Sequence, residues 1–229
     1  MEGHAYTAAG LRSQRSEPRA RRRPSPTAAL AVCGLCVLGL ALVWAVAEHV
    51  HVVQLKDAVL LRDMARLNHG AAHWLAGVTI KLLEPGLFIL WGVALLAFAI
   101  AQERPRTAVA VIAVLALAPL SAETLKPLLA HPHISLGTVY IGPASWPSGH
   151  TTAGTALALS AVLVAPARMR TVVAVLAVAF SLAVGVALLI HGAHMPSDVL
   201  GGYLLAGFWA SLAVALLRAS DSRAAAAPA

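Results

Sequence analysis

Long apolar runs, separated by short polar breaks, dominate this chain. Six of them approach the ~20 residues that a helix needs to cross a bilayer. They run at about Ala28–Ala47, Pro85–Ala101 (with a start as early as Trp74), Thr107–Ala122, Thr151–Pro166, Thr171–Ile190 and Val199–Leu217. The pattern predicts an all-α integral membrane protein built as a six-transmembrane-helix bundle. The segment from Val50 to Leu75 reads differently, because charges alternate there with apolar residues at helical spacing. Val53, Leu60, Leu61, Met64 and Leu67 fall on one face, and Lys56, Asp57, Arg62, Asp63 and Arg66 mostly lie elsewhere. That arrangement predicts an amphipathic helix on the membrane surface or packed on the bundle. The expected organisation is a disordered basic tail at 1–27, the membrane domain at 28–218 and a disordered tail at 219–229.

Composition agrees with a membrane location. The 229 residues are 59% hydrophobic and 12% charged, with a mean hydropathy of +0.77, whereas soluble domains carry roughly a quarter charged residues. The net charge of +7 raises the question of a nucleic-acid partner, and the placement of the basic residues answers against one. Arg12, Arg15, Arg19 and Arg21 to Arg23 crowd a Pro/Ser/Ala-rich N-terminus without apolar periodicity, and the others mostly punctuate apolar runs. The first apolar run is longer than a signal-peptide core and ends at Glu48-His49 without a cleavage site, so it reads as a retained anchor. Cys33 and Cys36 lie within it with no second ligand pair. Two small residues on a membrane helix describe them better than a zinc site, which usually needs four ligands.

Lys/Arg bias sets the expected sidedness. With a cytoplasmic N-terminus, that side collects the six tail arginines together with Arg104, Arg106, Arg168, Arg170, Arg218 and Arg223. The outer side then holds Lys56, Arg62, Arg66 and Lys126, and Lys81 is undecided. Both termini are expected in the cytoplasm. The 123–150 and 190–198 connections are expected at the outer face of the cell membrane.

Two polar clusters stand at the starts of apolar runs on that outer side. In the first, Pro147-Ser148-Gly149-His150, Ser148 suits a helix N-cap and Gly149 permits close backbone approach to a ligand. A helix start offers free N–H groups to an anion, and His150 is placed to give a proton to a leaving oxygen. In the second, His194-Met195-Pro196-Ser197-Asp198, Asp198 lies one turn beyond His194. A carboxylate behind an imidazole fixes its tautomer and strengthens it as a nucleophile, here toward phosphorus. Each cluster alone is equally readable as a turn with a capping interaction. Lys126, one turn after Glu123, either snorkels and pairs with Glu123 or supplies a point charge for phosphate. The histidines 131, 133, 150, 191 and 194 show no familiar metal-ligand spacing, so no metal and no cofactor are expected.

A lysine, a Pro-Ser-Gly-His and a His-x-x-x-Asp in this order resemble the type-2 phosphatidic acid phosphatase superfamily, membrane lipid phosphatases related to vanadium haloperoxidases. The resemblance spans Lys126 to about Gly202. It implies His194 as nucleophile oriented by Asp198, and His150 as general acid. Lys126, Ser148 and Gly149 would hold the phosphoryl oxygens. The implied reaction is hydrolysis of a polyprenyl or phosphatidate-like lipid phosphate or diphosphate through a phospho-histidine, without metal. Two positions depart from the family pattern. His131 stands where an arginine is usual in the first motif, and Leu188 stands six residues before His194 where the third motif carries another. Both arginines bind phosphate in the family, so His131, when protonated, and His191 are the candidate substitutes. The alternative class is a catalytically weakened lipid-phosphate-binding or scaffold protein of the same fold. A transporter lacks the repeated broken helices it would need, and a serine protease lacks a histidine partner for Ser148 on a late helix.

Overall fold

The computed structural model describes residues 26–137 and 139–226. Among them are eight helices and no strand: α1 Pro26–His49, α2 His51–Ala65, α3 Gly70–Lys81, α4 Pro85–Ala101, α5 Pro105–Leu128, α6 Gly149–Val164, α7 Arg170–Ile190 and α8 Pro196–Ala226. Four of these, α1, α5, α7 and α8, are long and apolar enough to cross a membrane. A fifth span arises if α3 and α4 are taken together across a 58° bend at the Leu82–Glu84 break. The sixth expected span corresponds to α6, which has 16 residues.

Each apolar run thus became helix, with boundaries that moved for local reasons. Proline opens α4, α5 and α8 at a position where its missing N–H costs nothing. Helix α5 continues through Pro119 and Pro127 to Leu128, so Lys126 sits on its last turn rather than after it. The 50–75 segment is two helices, not one, because the chain turns at residues 66–69. Of the expected disordered C-terminal tail at 219–229, residues 227–229 lie outside the described residues and the rest continue α8. Helix α8 runs on to Ala226 through an alanine-rich stretch of high helix propensity, and Asp221 reaches Arg106 at 3.5 Å. Of the expected N-terminal tail, residues 1–25 lie outside the described residues, and Pro26 and Thr27 already belong to α1.

Helix α6 is the centre of the bundle and touches α4, α5, α7 and α8. Alanines make this possible. Ala110, Val114 and Ala118 of α5 meet Ala156 of α6 and Ala206 and Ala213 of α8 in one buried cluster, the close small-residue packing that associates helices in lipid. Large apolar side chains point the other way: Leu35, Leu38 and Leu42 on α1 and Val175, Leu176 and Val178 on α7 are all exposed. At the C-terminal end of α6, Arg104 donates to the carbonyls of Leu163 and Val164 and Gln102 to that of Val164. These side chains satisfy carbonyls that no further helical turn can reach. Arg170 does the same for Ala165. The arginine-rich rim and the Ser148–His150 cluster therefore occupy opposite ends of one helix.

Candidate functional site

The second end of α6 is built by hydrogen bonds that join two helix starts. Ser148 caps α6, its Oγ accepting from Thr151 N at 3.3 Å and from Thr151 Oγ1 at 3.0 Å. Thr152 Oγ1 donates to Ser148 O at 2.7 Å. All three side chains are buried. Across the interface, Ser148 N donates to Asp198 O at 3.0 Å, so the N-termini of α6 and α8 are locked side by side. Gly202, one turn further along α8, permits this approach. A Cβ there would lie 2.7 Å from Thr151 Cβ and 2.9 Å from Ser148 O. Two helix N-termini with their positive dipole ends meet at one place, which favours a bound anion.

Asp198 does two things at the start of α8. Its Oδ2 accepts from Met195 N at 2.9 Å, a carboxylate at the third helical position reaching back to cap the helix. The same oxygen faces His194 Nδ1 at 3.3 Å. Asp198 is fully buried and His194 nearly so. An ionised carboxylate can only accept, so this contact requires the proton on Nδ1 and leaves the lone pair on Nε2. The cap on Met195 N and the contact with His194 are therefore made by one side chain.

Lys126 projects from the last turn of α5 to the start of α6. A Cβ on Gly149 would stand 3.4 Å from its Nζ and 2.6 Å from Glu123 Oε1. Lys126 Nζ donates to Glu123 Oε1 at 2.7 Å, so an incoming anion competes with Glu123 for the ammonium. His150 feels the charges of His194, Lys126 and Glu123 together. The structure therefore brings Lys126, Ser148, Gly149, His150, His194 and Asp198 to one place.

His131 lies beside this cluster, lining a small recess with Asp57, His133, Met195 and Ser197, but it is engaged by other groups. It is 4% exposed, with Nδ1 at 3.2 Å from Glu48 Oε2 and from Leu129 O. Its ring packs edge-on against His133 at 4.4 Å between centroids, and His133 Nε2 contacts Ser145 Oγ at 2.8 Å. As a phosphate ligand His131 would have to leave Glu48. His191 also turns away: its ring packs against His73 at 5.2 Å, and its Nε2 is buried and without a hydrogen-bond partner. Leu188, in the place of the family's arginine, is sealed among Leu83 and Val184, with Ile80, Phe88, Leu157 and Phe180 around it.

The residue that sequence reasoning missed is Asp57. Its Oδ2 accepts from Ser197 N at 3.2 Å, beside the His194–Asp198 pair. The signal was its spacing, since Asp57 lies four residues from Val53 and four from Leu61, in the middle of the face expected to be apolar. The buried stripe of α2 runs through Ala58 and Leu61, and Leu60 and Leu67 are exposed instead. Burial pushes the Asp57 carboxyl above its ordinary value, against the opposing hydrogen bonds from Ser197, and Asp198 adds to the rise. Burial likewise pushes the His133 imidazole below its ordinary value. Asp198 opposes that shift and His131 adds to it.

A separate apolar cavity of about 360 Å³ lies between α4, α6 and α7, lined among others by Trp91, Leu95, Leu157, Ala161, Leu176 and Phe180.

The model of the PAP2 superfamily matches residues 88–221, more than half of the chain. A crystal structure of a transmembrane PAP2 type phosphatidylglycerolphosphate phosphatase from Bacillus subtilis superposes with a TM-score of 0.62 at 17% sequence identity. The match covers 83% of this chain and 96% of that one. No curated protein matches the chain.

Proposed function

The chain belongs to the PAP2 superfamily, and on that premise we propose that it is a membrane phosphatase hydrolysing a lipid phosphate monoester or diphosphate at the outer face. The observation that carries this reading is the Ser148 N to Asp198 O hydrogen bond, because it turns two separate polar motifs into one anion site with Lys126 against it. Phosphate would be held by Lys126, the Ser148 cap and the Gly149 backbone. His194 Nε2 attacks phosphorus as the P–O bond to the lipid breaks, and His150 gives its proton to the departing oxygen. The imidazolium formed at His194 is stabilised by Asp198, and their 3.3 Å contact shortens as that charge develops. Water then attacks the phospho-histidine, with His150 taking its proton back. Side-chain charge and helix ends supply the electrostatic stabilisation, and no metal takes part.

The substrate's tail has a path. The apolar cavity includes Leu157 and Ala161, about two and three turns along α6 from His150, so a chain with its phosphate at the site reaches it through the membrane interior. The apolar lining of this cavity does not distinguish a polyprenyl tail from a phosphatidate-like one. Six spans are part of this proposal, with α4 and α6 crossing where the arginine rim faces the cytoplasm and both termini lie there too.

The test is phosphate release from dioctanoyl phosphatidate and farnesyl diphosphate by the purified protein in detergent, with and without chelator. We expect release that survives EDTA and that His194→Ala abolishes. Equal release by both proteins sinks the enzyme reading. The position of Leu188 in an apolar cluster and of His131 on Glu48 favours a second reading, a lipid-phosphate-binding protein of the same fold. That protein would retain a phosphatidate without turning it over.

A further inference from the structure

We propose that α2 is the brace of the nucleophile-bearing turn, with Asp57 as a positioning residue that holds the α8 start in register. The proposal rests on His194 being the nucleophile of the reaction above. Three contacts carry it, all from one stripe of α2 at four-residue spacing, the spacing that puts side chains on a single helical face. Asp57 Oδ2 accepts from Ser197 N at 3.2 Å. Leu61, 2% exposed, shares a buried cluster with Met195, along with Ile141, Val139 and Leu189. Ala65 lies under Gly192, where an added Cβ would be 3.8 Å from the Ala65 methyl carbon. Residues 57, 61 and 65 therefore follow the turn from 197 through 195 to 192, in antiparallel sense. His194 lies inside the braced segment.

The turn depends on this support. Ser197 is the second residue of α8, and its N–H has no partner within the helix. The Asp57 carboxylate satisfies it from another helix, and a negative charge at a helix N-terminus is favourable. Asp198 next in sequence holds Met195 N and faces His194. One carboxylate thus ties the turn internally and the other ties it to α2. Removing the outer tie leaves Ser197 N–H buried without an acceptor and frees the turn to drift relative to the Ser148 side of the site. A misplacement of about 1 Å between reacting groups costs up to about a hundredfold in rate.

The experiment compares full-length wild type, Asp57→Ala, Asp57→Asn and His194→Ala in detergent micelles. It measures kcat and KM for dioctanoyl phosphatidate, the thermal midpoint, and the rate at which diethylpyrocarbonate modifies His194, read by peptide mass spectrometry. We expect Asp57→Ala to lower kcat about ten- to a hundredfold, with KM changed less than about twofold, since phosphate binding at Lys126 and α6 is untouched. His194 should be modified faster in that variant. Asp57→Asn, whose amide oxygen still accepts from Ser197 N, should restore kcat and the slow modification. Unchanged kcat and modification rate in Asp57→Ala overturn the proposal. So does a parallel shift of kcat, KM and thermal midpoint that Asn fails to rescue, because it marks Asp57 as general packing. Full phosphate release by His194→Ala overturns the catalytic reading instead, and the modification rate still decides whether Asp57 holds the turn.

Discussion

Gly202→Ala tests the helix junction on which the site depends. The added methyl would stand 2.7 Å from Thr151 Cβ and 2.9 Å from Ser148 O. Neither is the tip of a flexible side chain, for Thr151 is fully buried and Ser148 O is backbone that already accepts from Thr152. Relief requires α8 to move away from α6. Overpacking of this kind costs about 1–3 kcal/mol, and for a chain of this size each kcal/mol lowers the thermal midpoint by about 2–4 °C. The same movement lengthens the Ser148 N to Asp198 O bond, so turnover should fall with stability. Gly34→Ala is the control, because nothing lies within 4 Å of a Cβ at that helical position, and the better helix propensity of alanine leaves it neutral or slightly stabilised. Thermal melts and phosphate release in the same detergent compare the two. A Gly202→Ala protein as stable and active as Gly34→Ala would refute the argument that this junction is tightly packed.

Other expectations follow from the same structure. Asp198→Asn keeps an acceptor for Met195 N but frees His194 to take the wrong tautomer, and loss of such a partner elsewhere costs about 10⁴ in kcat. Stopped assays should show a loss of that order with a thermal midpoint close to wild type. Leu188→Arg restores the family residue in sequence but not in place. A charge among Leu83, Val184 and Phe88 has no partner, so the variant should lose several kcal/mol and give less monodisperse protein on size exclusion, without a gain in activity. Burial pushes the folded His133 imidazole below its ordinary value. As pH falls through about 6.5 the unfolded chain takes up this proton ahead of the folded one. Stability should therefore drop from pH 7 toward pH 5, and melts of His133→Gln over that range should show a smaller drop.

Much of the bundle was legible in the sequence because lipid imposes one rule on every span, that the apolar run be continuous and helical. The runs around Ala28, Thr171 and Val199 needed only their ends adjusted. The pairing of the two motifs was legible too, since both precede helices expected on one side. What stayed hidden was set by contacts between distant segments. Nothing local to His131 says that Glu48 will take its Nδ1, and nothing near Leu188 says that α3 and α4 will cover it. Asp57 was readable in principle. Its place amid an apolar stripe marked it as half-buried, but only the folded turn supplies Ser197 as the reason.

Helix α6 is fastened at both ends, to α8 through Ser148 and to the α4–α5 turn through Gln102 and Arg104. Its 16 residues make it a ruler of about 24 Å, shorter than the ~30 Å hydrocarbon thickness of an average bilayer. A free helix of that length could shift up or down to suit the lipid. If α6 crosses the bilayer as proposed, this one cannot, so the lipid or the flanking side chains must take up the mismatch, and the depth of the proposed phosphate site is set by the protein rather than by its host membrane.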